Sequence, residues 1–344
     1  EFKELIKGGL HPRRLKNGLP FGIFRGQEYY TVENNKLLIK NIPALAPATE
    51  IFALTYDGKG NIFGASGLGQ TIFKYNIESG EYENTSVVCD RGGEVYGMRF
   101  VNDLLYMTMY AGGDHVVYDP QKPWDQINNI NPKTLERVGP DFIRPHARSV
   151  IGQDQNIWTG WWAEYGTYGG CISRINTKTN KVDSWLSYVE EQAVNSIAAG
   201  KKYIYYTTGK NGNGLNSLDC VPSLVVIDYE GKFIKKIDYP FGTKLGNLLM
   251  AGNKLLLVLN GQTIIYDEDL NEVKTINTAS NMMIAYGENT ALLFADGNAR
   301  FINIEKGIIY KEYDIGEGYV SAAVIVDKEH VYYSKKTKLY KLII

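Results

Sequence analysis

A short phrase recurs six times along this chain and does most to fix what it can fold into. An apolar residue is followed by Asp or Asn and then by a turn-prone stretch. The copies are Tyr75-Asn76, Tyr118-Asp119, Ile175-Asn176, Ile227-Asp228, Tyr266-Asp267 and Ile302-Asn303, with a degenerate last copy at Tyr340-Lys341. Their second residues are 43, 57, 52, 39, 36 and 38 positions apart. Periods of this size mark repeated supersecondary units. The segments between copies are strand-length apolar runs broken by Gly- and Asn-rich turns, and only 183–191 carries any helical signal. The expected fold is therefore all-β: a seven-bladed β-propeller of four-stranded antiparallel blades.

The blade pattern is readable unit by unit. Val95–Phe100, Leu104–Tyr110 and His115–Asp119 read as the first three strands of one blade. The other units are Ile51–Val88, His146–Leu186, Ala193–Tyr239, Leu245–Ile276, Met282–Ile315 and Ser321–Ile344. The last unit holds only three strands, and Lys36–Ile42 has no unit of its own. The expectation is that this N-terminal strand completes the last blade and so removes an open sheet edge. Residues 1–28 are expected to form an arm or linker, and 29–344 the propeller.

Composition excludes several function classes. Lys+Arg number 37 against 38 Asp+Glu, so no basic excess suggests nucleic acid. No apolar run reaches the length of a membrane-spanning helix. The chain starts Glu1-Phe2-Lys3 without a Met, which reads as a mature or excised form. Cys89, Cys171 and Cys220 lie too far apart for a Cys-x-x-Cys site and read as incidental thiols. The chain carries 25 Tyr and 5 Trp. Tyrosine suits twisted strands, and it also lines carbohydrate and protein interfaces.

The longest repeat steps carry insertions, and these fall where loops of adjacent blades open on one face. They are 110–115, 144–148, 161–170 and 209–220. Loops on a rigid scaffold are where binding and catalysis concentrate. Within them, Arg144, His146 and Arg148 precede an inner strand, with alternation expected to set His146 and Arg148 on one side. Guanidinium neighbours favour a neutral imidazole, the form a general base needs. Arginine also pairs with carboxylates. A neutral His, an Arg and a Tyr are the groups needed for β-elimination from a uronic acid: proton removal, carboxylate neutralisation and leaving-group protonation. The candidate catalytic residues are His146, Arg144, Arg148 and Tyr165. Candidate substrate contacts are Tyr110, His115, Trp161, Trp162, Tyr168 and Asn211. Because adjacent strand residues face opposite ways, one of Trp161 and Trp162 should pack between blades while the other meets solvent or ligand. Pro123-Trp124 reads as a loop anchor. No metal ligand is assigned and no cofactor is expected, although histidines of different blades leave room for a divalent metal in the central channel.

Tyr118-Asp119-Pro120-x-x-Pro123-Trp124, Arg144-Pro145-His146, Tyr165-Gly166-x-x-Gly169-Gly170-x-x-x-Arg174 and Gln192-x-Val194-x-Ser196 together resemble seven-bladed propellers of the streptogramin lyase and YVTN-like superfamily. Within it they are most similar to propellers associated with secreted polysaccharide lyases. The resemblance covers about residues 95–230. It implies an extracellular or periplasmic protein, a polysaccharide or oligosaccharide partner and attachment to other domains of a larger protein. Three functions follow as expectations: an eliminating lyase on uronate-containing glycans, a non-catalytic glycan- or protein-binding propeller, and a gluconolactonase-type hydrolase. The third requires a set of acidic and amide metal ligands, and no strong set is visible in the sequence.

Overall fold

The recurring Asp or Asn has one physical job. In each copy its side chain accepts backbone N–H groups two to four residues on and so closes the turn between third and fourth strands. Asn76 takes the amides of Glu78 and Ser79; Asp119 that of Gln121; Asn176 those of Lys178 and Thr179. Asp228 takes Glu230 and Lys232, Asp267 takes Asp269 and Asn271, and Asn303 takes Lys306. Lys341 cannot accept such bonds, and no fourth strand follows it in the described sheet.

In this computed structural model the described residues are 10–24, 28–42 and 48–344, arranged in eight antiparallel sheets. The first is β1–β4 (Leu10–Arg14, Pro20–Phe24, Glu28–Glu33, Lys36–Asn41). Then come β5–β8 (Ile51–Tyr56, Asn61–Ser66, Thr71–Asn76, Tyr82–Val87) and β9–β12 (Glu94–Val101, Leu104–Tyr110, His115–Tyr118, Lys133–Thr134). The next holds β13–β17 (Phe142–Arg144, Ser149–Ile151, Ile157–Ala163, Gly170–Ile175, Val182–Leu186). It is followed by β18–β21 (Ala193–Ala199, Tyr203–Gly209, Ser223–Asp228, Phe233–Asp238) and β22–β25 (Leu245–Ala251, Lys254–Leu259, Gln262–Tyr266, Glu272–Ile276). The last two are β26–β29 (Met282–Ala285, Thr290–Ala295, Asn298–Asn303, Ile308–Asp314) and β30–β32 (Val320–Ile325, His330–Lys335, Lys338–Ile343). The helical signal at 183–191 is overridden: β17 runs through Val182–Leu186, paired to β16.

Seven of the eight sheets form a cycle. Their first strands, β5, β9, β14, β18, β22, β26 and β30, pack each against the next, and β30 returns to β5. An apolar cluster fills every interface. Met98, Leu105 and Met107 pack with Phe63 and Ile72; Trp158, Ile172 and Val194 pack with Tyr206; Leu292, Phe294 and Val331 pack with Tyr333. Ile51, Leu54 and Ile62 meet Ala322 and Tyr332 across the closing interface.

Closure differs from the sequence expectation. Strand β4 pairs with β3 in its own sheet, and the last sheet has three strands among the described residues. Residues 10–24, read as part of an arm, form β1 and β2 of that N-terminal sheet. The tie between chain ends is instead made at Ile51. Its amide donates to the Lys336 carbonyl at 2.8 Å, and its carbonyl accepts from the Ser321 and Ser334 hydroxyls at 2.8 and 3.2 Å. Both serines are buried, so their hydroxyls have no water to fall back on.

Two outcomes follow. A chain beginning at residue 48 should keep one cooperative thermal transition, and failure to fold would mean that the N-terminal sheet is needed by the cycle. Ser334→Ala should cost about 1–3 kcal/mol in denaturant melts, because it strands the buried Ala322 amide and removes one of the two hydroxyls on the Ile51 carbonyl.

Candidate functional site

The four inserted loops do converge. The Gly166 amide donates to the Asn213 carbonyl at 3.0 Å, and the Asn213 side chain donates to the Ala163 carbonyl at 2.5 Å, which fastens 161–170 to 209–220. The Tyr168 hydroxyl donates to the Asn216 carbonyl at 2.8 Å, so it serves the same junction while its ring stays half-exposed. Asn211 is exposed on that loop and accepts from Ser217. Tyr110 and Tyr165 join their hydroxyls at 2.8 Å across neighbouring sheets.

Arg144 is the hub of this junction. It ends β13, opposite Trp162 of β15. Its guanidinium donates to the Tyr96 hydroxyl at 3.2 Å and to the Tyr165 hydroxyl at 3.1 Å, and it lies 4.3 Å from the centre of the Tyr110 ring. Its Nε is buried without a partner. Burial acts to lower the Arg144 pKa, but the three tyrosines outweigh it and raise it, so the cation is secure. Burial in turn pushes Tyr96 up to about 12 and raises Tyr110, so both phenols carry their protons at neutral pH. Tyr165 is the most open of the cluster at 57% exposure.

His146 lies in a turn rather than at the start of the inner strand. Its amide donates to the Arg144 carbonyl and the Arg148 amide donates to the Pro145 carbonyl, each at 2.8 Å, and β14 begins only at Ser149. Alternation therefore does not relate His146 to Arg148. Instead His146 stacks on Trp162 with centroids 4.2 Å apart, while Arg148 stands over Phe52 at 5.4 Å. Arg148 is a non-glycine residue at φ 60°, a conformation held only where the surroundings enforce it. The imidazole is reached by solvent yet walled by protein. Burial lowers its pKa to about 4, with Arg148 and Arg144 acting the same way against the Asn195 carbonyl, which lies 3.4 Å from Nδ1. It is neutral at physiological pH.

Two expected substrate contacts prove to be interior. Trp161 and His115 are both 0% exposed and meet edge to face at 5.1 Å. The His115 Nε2 and the Trp161 Nε1 each lie 2.8 Å from the Ser173 hydroxyl, and the His115 Nδ1 lies 2.8 Å from the Glu136 carbonyl. Every polar atom of the pair is used, so they tie two sheets together and do not face a ligand. Neighbouring Asp114 does not serve His115; its ion pair is with Arg91. The two tryptophans divide as strand alternation requires: Trp161 packs inside and Trp162 reaches the His146 ring. Trp124 anchors its loop against Tyr118, centroids 5.2 Å apart.

The site contains residues that the sequence reading left out: Phe52, Tyr96 and Asn195. Phe52 and Tyr96 sit on the first strands β5 and β9, with centroids 4.6 Å apart. Asn195, on β18, leaves its side-chain oxygen buried and unpartnered beside His146, as Trp162 leaves its indole N–H. The available signal was a polar residue inside a first-strand run, such as Asn195 in Ala193-Val194-Asn195. Among the described residues, no three His, Cys, Asp or Glu side chains come together as a metal-binding group, and all three cysteines are free thiols. No described helix is long and apolar enough to cross a membrane.

The cycle of sheets defines the class: the chain is a β-propeller. Solved structures agree. It resembles a catalytically inactive variant of virginiamycin B lyase from Staphylococcus aureus, solved with quinupristin, at TM-score 0.65 and 14% identity over 88% of this chain and 97% of that one. It also resembles the β-propeller domain of Cps50 (Swd1) from Myceliophteria thermophila, at TM-score 0.60 and 8% identity over 88% and 100%. The computationally designed protein Ika8 matches at 0.57 and 13% over 97% and 95%. Identities this low speak to the fold alone. No family model matches the chain, and no curated protein matches its sequence.

The buried imidazole sets a pH dependence of stability. Burial lowers the His115 pKa to about 4, below the unfolded value of about 6.5. The unfolded chain thus binds more protons between these values. Stability should be full above pH 6.5 and fall as pH drops towards 4, by on the order of 3 kcal/mol from this group. His146 contributes with the same sign. Denaturant melts across this range should show the slope, and His115→Gln should make it shallower.

Proposed function

We propose that this propeller is an eliminating lyase acting on a carboxylate-bearing, uronate-type glycan at the face built by the four loops. The observation that carries the reading is the state of Arg144: a secured cation with no carboxylate within ion-pair reach among the described residues, held by three tyrosines beside a neutral imidazole. Four other arginines are neutralised by carboxylates. Arg91 and Arg137 pair with Asp114, Arg174 with Asp183 and Arg300 with Glu312. A guanidinium without a counter-charge, bonded to the exposed Tyr165, suits an incoming carboxylate.

The chemistry then follows from the protonation states. Arg144 binds the ligand carboxylate and stabilises the charge that develops when the adjacent C–H bond breaks. His146 accepts that proton. The electron pair forms the carbon–carbon double bond as the glycosidic C–O bond breaks, and Tyr165 delivers a proton to the leaving oxygen. Trp162 and Tyr168 offer ring faces to the sugar. A base of pKa about 4 is weak, but a bound carboxylate sets a negative charge near the imidazole and raises its basicity.

A second reading is a propeller that binds glycan without turnover. The stack of His146 on Trp162 favours it, since that packing makes the imidazole part of a flat aromatic platform. The two readings separate on products. Incubation with a panel of uronate polysaccharides should release unsaturated ends that absorb in the ultraviolet. His146→Ala should lower that rate about 10²–10⁴-fold with unchanged melting. Tight calorimetric binding without any unsaturated product would leave only the binding reading. In the pH profile, kcat/KM should fall below about pH 4 as His146 protonates in the free protein. The acid limb of kcat should lie higher, because bound carboxylate raises the imidazole pKa.

A further inference from the structure

A cavity of about 620 Å³ opens where the sheet β26–β29 meets the sheet β30–β32. Three segments line it: the entry to β26 with Ser280 and Asn281, the turn Asp296-Gly297 between β27 and β28, and the link into β30 with Glu317 and Tyr319. A second-to-third-strand turn and the entry to the next first strand are also what place Tyr110 and Arg144, so both features lie on one face of the cycle. The space exists because this turn is short. Asp296 and Gly297 have φ of 50° and 75°, a two-residue hairpin turn. The corresponding loop after β10 is longer and bonds to its surroundings through the Ala111 amide and the Gly113 carbonyl. The volume is in the range of about 300–1,000 Å³ typical of small-molecule sites.

Hydrogen bonds fix the walls. The Asn281 amide donates to the Phe294 carbonyl at 3.0 Å, and its side chain donates across to the Val320 carbonyl of the next sheet at 3.3 Å. The Ile315 amide donates to the Gly297 carbonyl at 2.8 Å. The Lys335 ammonium donates to the carbonyls of Ile315, Gly316 and Glu317 and so holds the link into β30 around itself. These bonds leave acceptors over. The Asn281 side-chain oxygen takes no hydrogen bond among the described residues, and the exposed Glu317 carboxylate has no ion pair among them. Asp296 has Arg300 at 3.8 Å, but its side chain is 85% exposed. The Tyr319 ring is 58% exposed.

We propose that this cavity binds an uncharged pyranose residue of a glycan. Its polar groups are acceptors, and sugar hydroxyls donate; bonds to ionised carboxylates are the stronger kind. The open Tyr319 ring, with Ala279 and Val320 beside it, suits the C–H face of a pyranose. A uronate is disfavoured, because Lys335 is spent on backbone carbonyls and the two carboxylates repel a third. An ammonium ligand gains little, since carboxylates this open to water are screened. The rim connects the cavity to Arg144. Ser321, next to Val320, donates to the Ile51 carbonyl at 2.8 Å; Phe52 packs on Tyr96 at 4.6 Å; and Tyr96 accepts from Arg144 at 3.2 Å. Resting on the lyase reading, which sets a uronate at Arg144, this makes the substrate a heteroglycan that carries uronate and neutral residues on one chain.

The probes are the methyl glycosides of glucose, galactose and mannose, whose binding needs no turnover and so tests the cavity apart from the lyase reading. Saturation-transfer NMR on the full chain should show transfer to at least one of them. Tyr319→Ala and Glu317→Ala should each weaken that binding about tenfold, with unchanged melting because both side chains are exposed. In Arg144→Gln protein the transfer should persist, and glucuronate should not displace the glycoside. Absence of transfer to all of the glycosides, transfer undiminished by both substitutions, or displacement by glucuronate overturns the site. Unsaturated product from uronate glycans with no glycoside binding sinks this site and leaves the lyase reading. Glycoside binding lost on Tyr319→Ala, with no unsaturated product from any polysaccharide, sinks the lyase reading and leaves this site in place.

Discussion

Packing of each sheet on its neighbour, closed into a cycle at Ile51, is the constraint on which everything else rests. Each of the seven sheets in the cycle buries both faces only between two others, and the seventh interface exists only because β30 meets β5. The closure uses few atoms: one carbonyl, one amide and two serine hydroxyls, all withdrawn from water. Their worth lies less in each bond than in the apolar interface they hold in register. A cycle of this kind leaves a channel lined by first strands, and its rim is where the loops between second and third strands gather.

The position of the cations follows from that geometry. On an open surface an arginine is screened by water and salt. Half-buried, as Arg144 is, it is partly desolvated, which is costly without compensation. The protein compensates Arg144 with a ring face and two phenol oxygens rather than with a carboxylate. That choice keeps the full positive charge available, since a phenol with a raised pKa supplies a hydrogen-bond acceptor and no counter-charge. Arg91, with Asp114 beside it, shows the alternative: an arginine spent on structure.

How much of this was legible in the sequence depends on the kind of signal. The Asp and Asn phrase is local chemistry, a side chain bonding amides two to four residues away, so it is visible in one dimension. The converging loops were visible too, because the insertions interrupt a regular period. What stayed hidden depends on neighbours distant in the chain. His115 and Trp161 carry the same residue types as ligand contacts, and only the Ser173 hydroxyl between them makes them interior. Tyr96 and Phe52 look like ordinary strand aromatics until Arg144 and Arg148 are set over them by other sheets. The closing strand was misjudged because an orphan strand and an incomplete blade suggest each other, whereas β1 and β2 already give β4 a sheet.

The turn at 144–148 shows how a one-residue difference in backbone state decides chemistry. Read as strand, His146 and Arg148 share a side, and both address one ligand group. As a turn, the chain sends His146 outward onto Trp162 and Arg148 across to Phe52. Pro145 supplies no amide to continue a ladder, and Arg148 absorbs the reversal with a positive φ. The same turn therefore serves two places: Arg144 and His146 stand at Trp162, while Arg148 lies over Phe52, which itself packs on Tyr96.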